Sequence, residues 1–154
     1  MRVSPARIGS RSGPPLDERA MKGVRIARSS ISGRGLFATK AFERGDRICE
    51  YTGRLYRGDT YPDNRYLFEI SDLWTLDGSP KSNIGRWANH SCKPNAATEV
   101  TQRKRVWLCA IKRIRPGEEI VYDYGEEYSR HRLKNCKCAA CKTAGKSGNS
   151  HRRS

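Results

Sequence analysis

The chain has 154 residues, 36% hydrophobic and 31% charged, which fits one domain with tails and excludes both a collagen-like and a wholly disordered chain. Its formal net charge is +15, unevenly spread: residues 1–25 hold six Lys/Arg against Asp17 and Glu18, residues 129–154 hold eight and no acid, and the middle holds 17 against 14. Basic arms on a nearly balanced body favour an anionic partner or surface, although solvated ends explain the same charge without one.

No apolar run approaches the ~20 residues of a membrane span. The N-terminal stretch lacks the apolar region of a secretory signal, so an intracellular location is expected, in the cytoplasm or on a nucleoid or chromatin, with export as an effector left open. In a reducing compartment the six cysteines (Cys49, Cys92, Cys109, Cys136, Cys138 and Cys141) read as metal ligands sooner than as disulfides.

Residues 1–20 are rich in Ser, Gly, Pro and Arg, the composition of a disordered arm. Val24–Arg28 alternates and predicts a strand. A turn at Gly33-Arg34-Gly35 leads to a second strand from Leu36 to Ala38, and turn chemistry at Phe42–Asp46 precedes a third, Arg47–Tyr51. Residues 57–64 (RGDTYPDN) read as a loop. Strands are expected over Tyr66–Ile70 and Leu73–Leu76, and a short helical turn over Asn83–Asn89 that Pro94 keeps from continuing. Ala96–Thr101 and Arg105–Ile111 flank the basic turn Gln102-Arg103-Lys104, and Arg115–Glu118 turns into a last strand, Glu119–Tyr122. Short strands with frequent turns predict a mainly β domain.

Several constellations carry more chemistry than the rest. Gly33-Arg34-Gly35 sits between strands, the wrong context for a dinucleotide fingerprint, so it is an ordinary turn or a place where backbone approaches a small ligand. Asn89-His90-Ser91-Cys92-Lys93-Pro94-Asn95, with Arg86 upstream, packs amides, an imidazole and a thiol beside a bend. Such groups hold irregular loops in place and can also ring a polar ligand. Cys136, Cys138 and Cys141 put three thiols within six residues. Three thiolates suit a tetrahedral zinc, which needs a fourth ligand from Cys92, Cys109 or His131. Tyr122 and Tyr124, two apart, point to one face of a strand. Cys49 and Cys109 lie in apolar strand contexts and read as buried structural thiols.

Taken in order, SGRGLFA (32–38), EYTG (50–53), RYLFEI (65–70), RWANHSCKPN (86–95), GEEIVYDYG (117–125) and CKCAAC (136–141) resemble the SET domain of protein-lysine methyltransferases. The resemblance implies a mainly β, β-clip-like fold of several small sheets. It also implies a C-terminal pseudoknot, in which the YDYG segment passes under the NHSC loop, and a zinc-stapled post-SET segment. The corresponding division is a disordered basic arm over 1–21, the SET domain over 22–128, the post-SET segment over 129–143 and a disordered basic tail over 144–154.

By the same resemblance, Gly33, Arg34, Gly35 and Leu36 cradle S-adenosylmethionine. Arg86, Asn89 and His90 form its other wall, and Tyr66 and Tyr124 also touch it. Tyr51, Tyr66 and Tyr122 line the channel for the substrate lysine, Tyr124 is the catalytic tyrosine and Tyr122 acts beside it. Family members that add few methyl groups carry Tyr where Tyr122 stands, so mono- or dimethylation is expected. Cys92, Cys136, Cys138 and Cys141 are similar to the family's zinc ligands. Three features depart from the common pattern: the last two cysteines are two residues apart rather than four, Trp87 replaces Phe or Tyr, and the chain lacks both a cysteine-rich pre-SET region and a long insert between Tyr51 and Tyr66. The compact form is similar to bacterial or viral members.

The expected activity is therefore methyl transfer to lysine in a protein substrate, a histone or other basic protein, with the basic tails touching nucleic acid or nucleoprotein. Two rivals use the same features. A zinc-stapled nucleic-acid-binding module explains the charge and CKCAAC but not NHSC or YDYG, and an inactive SET scaffold needs a broken motif.

Overall fold

The computed structural model describes residues 23–126, 128, 130, 133 and 135–143. The proposed arm and tail lie outside them, as does His131. Strand β1 (Val24–Arg28) folds back on β2 (Arg34–Ala38) as an antiparallel hairpin in which Ile26 faces Leu36. The third strand, β3 (Arg47–Tyr51), pairs with a later hairpin, β8 (Ala96–Val100) and β9 (Val106–Ala110). These pieces are joined by β10 (Glu119–Tyr122), which lies antiparallel to β2 and parallel to β8, giving the order β1-β2-β10-β8-β9-β3. Alternation on β2 and β10 sends Leu36, Ala38 and Ile120 inward, where they meet Phe42, Leu108 and Ile114. Burying each of the large side chains contributes roughly 1.5–3 kcal/mol.

A second sheet, ordered β4-β6-β5, comprises β4 (Arg54–Arg57), β5 (Leu67–Ser71) and β6 (Trp74–Asp77). Its small core joins Tyr51, Leu76 and Val106, with Phe68 and Ile70 packed against them. Strand β4 was not among the expected elements. Arg54-Leu55-Tyr56-Arg57 buries too little to show a pattern, with Leu55 41% exposed, and pairing to β6 makes it a strand.

The expected helical turn is a single 3-10 turn, Ile84–Trp87, capped by the Asn83 side chain. It is followed by the two-residue strand β7 (Asn89–His90), which exists only through parallel pairing with β10 (Val121 opposite Asn89, Tyr122 opposite His90). A short helix, α1 (Ala139–Thr143), closes the cysteine segment.

Strand β10 is thus held on both sides of the 91–95 loop. The Ser91 N–H donates to the Tyr122 carbonyl (3.1 Å) and the Asn95 N–H to the Val121 carbonyl (3.2 Å). The Asn95 side chain completes the clasp, donating to the Glu119 carbonyl (2.8 Å) and accepting from the Val121 N–H (2.9 Å). The 117–125 segment is locked beneath the 89–95 segment, in the knot-like arrangement expected of the fold. Such threading is rare, and side-chain amides stabilise it where regular pairing is broken.

Asn83 does comparable work between the sheets. It is fully buried; its Oδ1 accepts from the N–H groups of Thr52 (2.9 Å) and Gly85 (3.1 Å), and its Nδ2 donates to the Gly78 carbonyl (2.9 Å). Asn83→Ala strands three backbone groups, each costing about 1–3 kcal/mol when buried and unpaired. Urea denaturation should show a loss of at least about 3 kcal/mol with an unchanged m-value. A loss below about 1 kcal/mol would mean that water replaces the amide.

Candidate active site

The loop between β1 and β2 is held from beneath by Glu119, the first residue of the pinned strand. The Ser29 hydroxyl donates to its carboxylate (2.8 Å to Oε1), and Asn89 Nδ2 reaches the same oxygen at 2.9 Å. Asn89 also donates to the carbonyls of Ser32 (3.2 Å) and Arg34 (3.1 Å). Gly35 permits this approach, because a Cβ there would run into the Glu119 carboxylate. At Gly33 the backbone has φ +46° and nothing lies within 4 Å of where a side chain would start, leaving an open cradle bordered by Arg28, Ser29 and Arg34. The sequence reading singled out Gly33, Arg34, Gly35, Leu36 and Asn89 but missed Glu119. Its signal was available, since it stands inside the GEEIVYDYG segment, where only the tyrosines were given roles.

The 3-10 turn packs against β2 and β3 and carries Arg86 and Trp87. The Arg86 guanidinium lies over the Tyr66 ring (4.1 Å) and near the Trp87 ring (4.9 Å), a cation–π stack. Arg86 Nε and Trp87 Nε1 are both buried without a hydrogen-bond partner. Buried unpaired donors are costly in a finished fold, and together with the open Gly33 cradle they fit a site that receives a polar ligand.

Around this lies a cluster of tyrosines. Tyr124 stacks on Tyr122 (ring centroids 4.8 Å) and meets Tyr128 edge-on (5.0 Å), and its hydroxyl donates to the Ala88 carbonyl at 2.6 Å. The Tyr51 hydroxyl donates to the Tyr66 carbonyl (2.9 Å), bringing the first and second sheets to one place. Burial first, then neighbouring phenols, raises the pKa of Tyr51, Tyr122 and Tyr124 above the ordinary phenol value. These hydroxyls are therefore neutral at physiological pH: they can donate, or present lone pairs, but are not phenolate bases.

His90 is buried between this cluster and the cysteines. Its Nδ1 accepts the Tyr124 N–H at 3.1 Å, and its Nε2 stands 3.6 Å from Cys92 Sγ. Of the candidates to complete the cysteine set, the resemblance favours Cys92, and among the described residues it is Cys92 that joins the other three; His131 lies outside them. The sulfurs of Cys92, Cys136, Cys138 and Cys141 all lie within 4.8 Å of one another, with Cys92 3.9 Å from Cys136 and 3.7 Å from Cys141. A zinc with ~2.3 Å bonds sets its four sulfurs about 3.8 Å apart, so the cluster fits a tetrahedral thiolate metal. Burial works against the Cys138 thiolate, but backbone groups of Cys92 and Cys141 and the thiols of Cys136 and Cys141 outweigh it and hold this thiol at about 6.

Cys49 and Cys109 lie away from the cluster. The Cys109 thiol donates to Glu99 (3.5 Å), while burial, then the nearby Cys109, pushes the Cys49 thiol up to about 12.

The SET domain family model matches residues 33–125. The knot-like strand, the tyrosine cluster beneath it and this match define the class, and the chain belongs to the SET-domain family. Its relatives include the histone-lysine N-methyltransferase trithorax of Drosophila virilis, 35% identical over 130 residues that cover 76% of this chain and 3% of that protein. Another is an H3 lysine-4 specific histone-lysine N-methyltransferase of Cryptococcus neoformans var. neoformans, 36% identical over 118 residues, covering 67% of this chain and 8% of the other. Among solved structures, KRYPTONITE in complex with mCHH DNA, an H3(1-15) peptide and SAH superposes with a TM-score of 0.60 at 29% identity, covering 72% of this chain and 25% of that one. The chain thus spans less than a tenth of the length of these two relatives.

The raised phenol pKa values carry a stability consequence. Above the ordinary phenol value, about 10, the unfolded chain releases protons that Tyr51, Tyr122 and Tyr124 retain when folded. Their contribution is present below that pH and is lost as pH rises, by about 1.4 kcal/mol per pH unit for each tyrosine. Denaturation curves from pH 8 upward should show this decline, steeper than in a Tyr51→Phe/Tyr122→Phe protein. Phenolate absorbance from these residues below the unfolding transition would contradict their burial.

Proposed function

We propose that this chain transfers methyl groups from S-adenosylmethionine to the ε-amine of lysine in a protein substrate. The observation that carries the reading is Tyr124, held under the NHSC loop with its hydroxyl proton committed to the Ala88 carbonyl and its ring within a buried, neutral tyrosine cluster. Gly33, Arg34, Gly35 and Leu36 would hold the cofactor on one side and Arg86, Asn89 and His90 on the other, with Tyr66 and Tyr124 alongside. When bound, the cofactor supplies an electrophilic methyl group on a cationic sulfonium.

The remaining chemistry falls to the chain. A lysine ammonium, with a pKa of about 10.4, has no lone pair and cannot attack. The walls formed by Tyr51, Tyr66 and Tyr122 remove it from water and so favour the neutral amine. Tyr124 turns its oxygen lone pairs toward the reacting groups, because its proton is engaged elsewhere, and it serves as an orienting group without acting as a base. Positioning of this kind supplies much of the rate enhancement in a bimolecular transfer. Tyr122 keeps a hydroxyl at the end of the channel, which limits the space for an already methylated amine and favours one or two additions.

A structural zinc held by Cys92, Cys136, Cys138 and Cys141 fixes the C-terminal segment over the substrate entrance. The substrate class is a basic protein, histone-like; the names of the relatives and the H3 peptide bound to KRYPTONITE support this. The +15 charge and the DNA in that same complex support contact of the basic arms with nucleic acid or nucleoprotein, and hence an intracellular site of action.

The direct test is incubation with labelled cofactor and a panel of basic proteins, alongside cofactor titration by calorimetry. Transfer to lysine is expected. Absence of cofactor binding would favour a nucleic-acid-binding module, and binding without turnover an inactive scaffold. Tyr124→Phe should lower kcat about a hundredfold, the scale of losing one well-placed polar group, with cofactor affinity kept. Near wild-type turnover by a folded variant would remove Tyr124 from the mechanism. Metal analysis should find about one zinc per chain, and a Cys138→Ser/Cys141→Ser protein should lose both zinc and activity. Full activity without zinc would sink the structural role.

A further inference from the structure

The buried imidazole of His90 touches two parts of the molecule that the chemistry has so far kept separate. Only 4% of it is exposed. One edge accepts the backbone N–H of Tyr124 at Nδ1 (3.1 Å), and the other places Nε2 3.6 Å from Cys92 Sγ. A backbone N–H can only donate, so Nδ1 must carry a lone pair and the ring proton must sit on Nε2, facing the sulfur. Asp123 Oδ1 stands 3.7 Å from Nδ1 and also accepts the Gly125 N–H (2.9 Å). The geometry is therefore self-consistent for one neutral tautomer, an N–H···S contact on one side and an N···H–N contact on the other.

We propose that His90 is a positioning residue that couples the cysteine centre to Tyr124, so that filling the metal site sets the backbone, and with it the ring, of the tyrosine at the methyl-transfer site. This rests on the methyltransferase reading and on zinc as the occupant of the four-cysteine cluster. The physical chain is short. A metal-bound thiolate is a better acceptor than a thiol, so zinc at Cys92 strengthens the Nε2–H···S contact, and a hydrogen bond of this kind in turn orients and tunes its ligand. The ring is rigid, which means that fixing Nε2 also fixes Nδ1. The Tyr124 amide follows Nδ1, and the Tyr124 hydroxyl is already tied to Ala88, two residues before His90. The two rings also pack edge-on, with centroids 5.4 Å apart. The sequence hints at this only by placing His90 two residues before a cysteine; that the same imidazole also meets residue 124 follows from β7 lying beside β10.

Amide hydrogen exchange on the full chain, read residue by residue by NMR, tests the coupling without depending on turnover. In the unaltered zinc-loaded protein the Tyr124 amide should be protected, and removing zinc with a chelator should raise its exchange rate by at least about tenfold while amides of the β1–β2 hairpin stay protected. Two substitutions separate the two edges. His90→Asn keeps an acceptor near the Nδ1 position but cannot reach Cys92, so zinc affinity should fall about 10- to 100-fold while the zinc-saturated form still protects Tyr124. His90→Gln keeps a donor that reaches Cys92 but loses the acceptor, so zinc affinity should be retained while Tyr124 exchanges faster and kcat falls more than KM changes. A residue that merely fills space would give the same loss for both substitutions. Zinc uptake with Tyr124 exchange indifferent to both the metal and His90→Gln overturns the coupling and leaves the methyltransferase reading intact. A protein that takes up no zinc overturns the zinc assignment and the coupling together. A protein that shows the exchange pattern but transfers no methyl group supports the coupling and overturns only the activity.

Discussion

Everything in the site depends on one short strand being held beneath a loop. Strand β10 would have few partners if it ended the sheet as an ordinary edge. Instead the amide of Asn95 bonds to β10 at Glu119 and Val121, and the backbone of Ser91 bonds to Tyr122. That clasp places Glu119, Tyr122 and Tyr124 along one short segment. Glu119 then grips the glycine loop through Ser29 and Asn89, while the Tyr122 and Tyr124 rings meet each other in the tyrosine cluster. A single constraint thus sets the distance between the place where a cofactor would lie and the place where a substrate would enter. Side-chain amides suit this purpose, because an Asn can satisfy both a donor and an acceptor of a strand where its ladder with the neighbouring strands is incomplete.

The electrostatics follow a related division. In the folded body several cations are engaged: Arg47 and Arg105 pair with Glu99 and Glu50 and lie against the Trp107 ring, and Arg25 lies over Phe37. Exposed pairs of this sort contribute little to stability, but they keep positive charge from crowding the sheet. At the active site the polarity is reversed in kind, with neutral phenols and an aromatic-stacked arginine. A buried environment of this kind disfavours a positive charge and tolerates a neutral amine. A site of this design would suit methyl transfer by excluding water and charge, which fits its being built from tyrosines and main-chain carbonyls rather than acids and bases.

The cysteine cluster adds a second anchor. Cys92 comes from the loop that pins β10, whereas Cys136, Cys138 and Cys141 come from the segment that follows it, so a metal held by the four sulfurs would tie the C-terminal segment back to the clasp. The shortened spacing between the last two cysteines is accommodated because α1 begins at Ala139 and returns Cys141 toward Cys138 within one turn. Lys142, on the same helix, donates to the Ser30 carbonyl at 2.7 Å, joining this lobe to the glycine loop as well.

Much of this protein was legible without coordinates. Turn residues and alternation located most strands to within a residue or two, because Gly, Pro and Asp act locally. The ordered motifs SGRGLFA, NHSCKPN and GEEIVYDYG pointed to the family because chemically demanding sites restrict residue types. What could not be read were the elements and contacts that exist only through distant partners. Strand β4 and the two-residue β7 have no pattern of their own and become strands by pairing with β6 and β10. Glu119, Asn83 and Asn95 carry no signature that separates a surface polar residue from a buried clasp, since hydrogen bonds across 90, 31 and 26 residues leave no trace in local sequence. Spacing alone left Cys92, Cys109 and His131 open, and only the family resemblance favoured Cys92 before the fold brought its sulfur to the other three. The sequence by itself determined the chemical kinds of the groups and the local turns between them; only the tertiary structure decided which of those groups meet, because that depends on a strand passing beneath a loop.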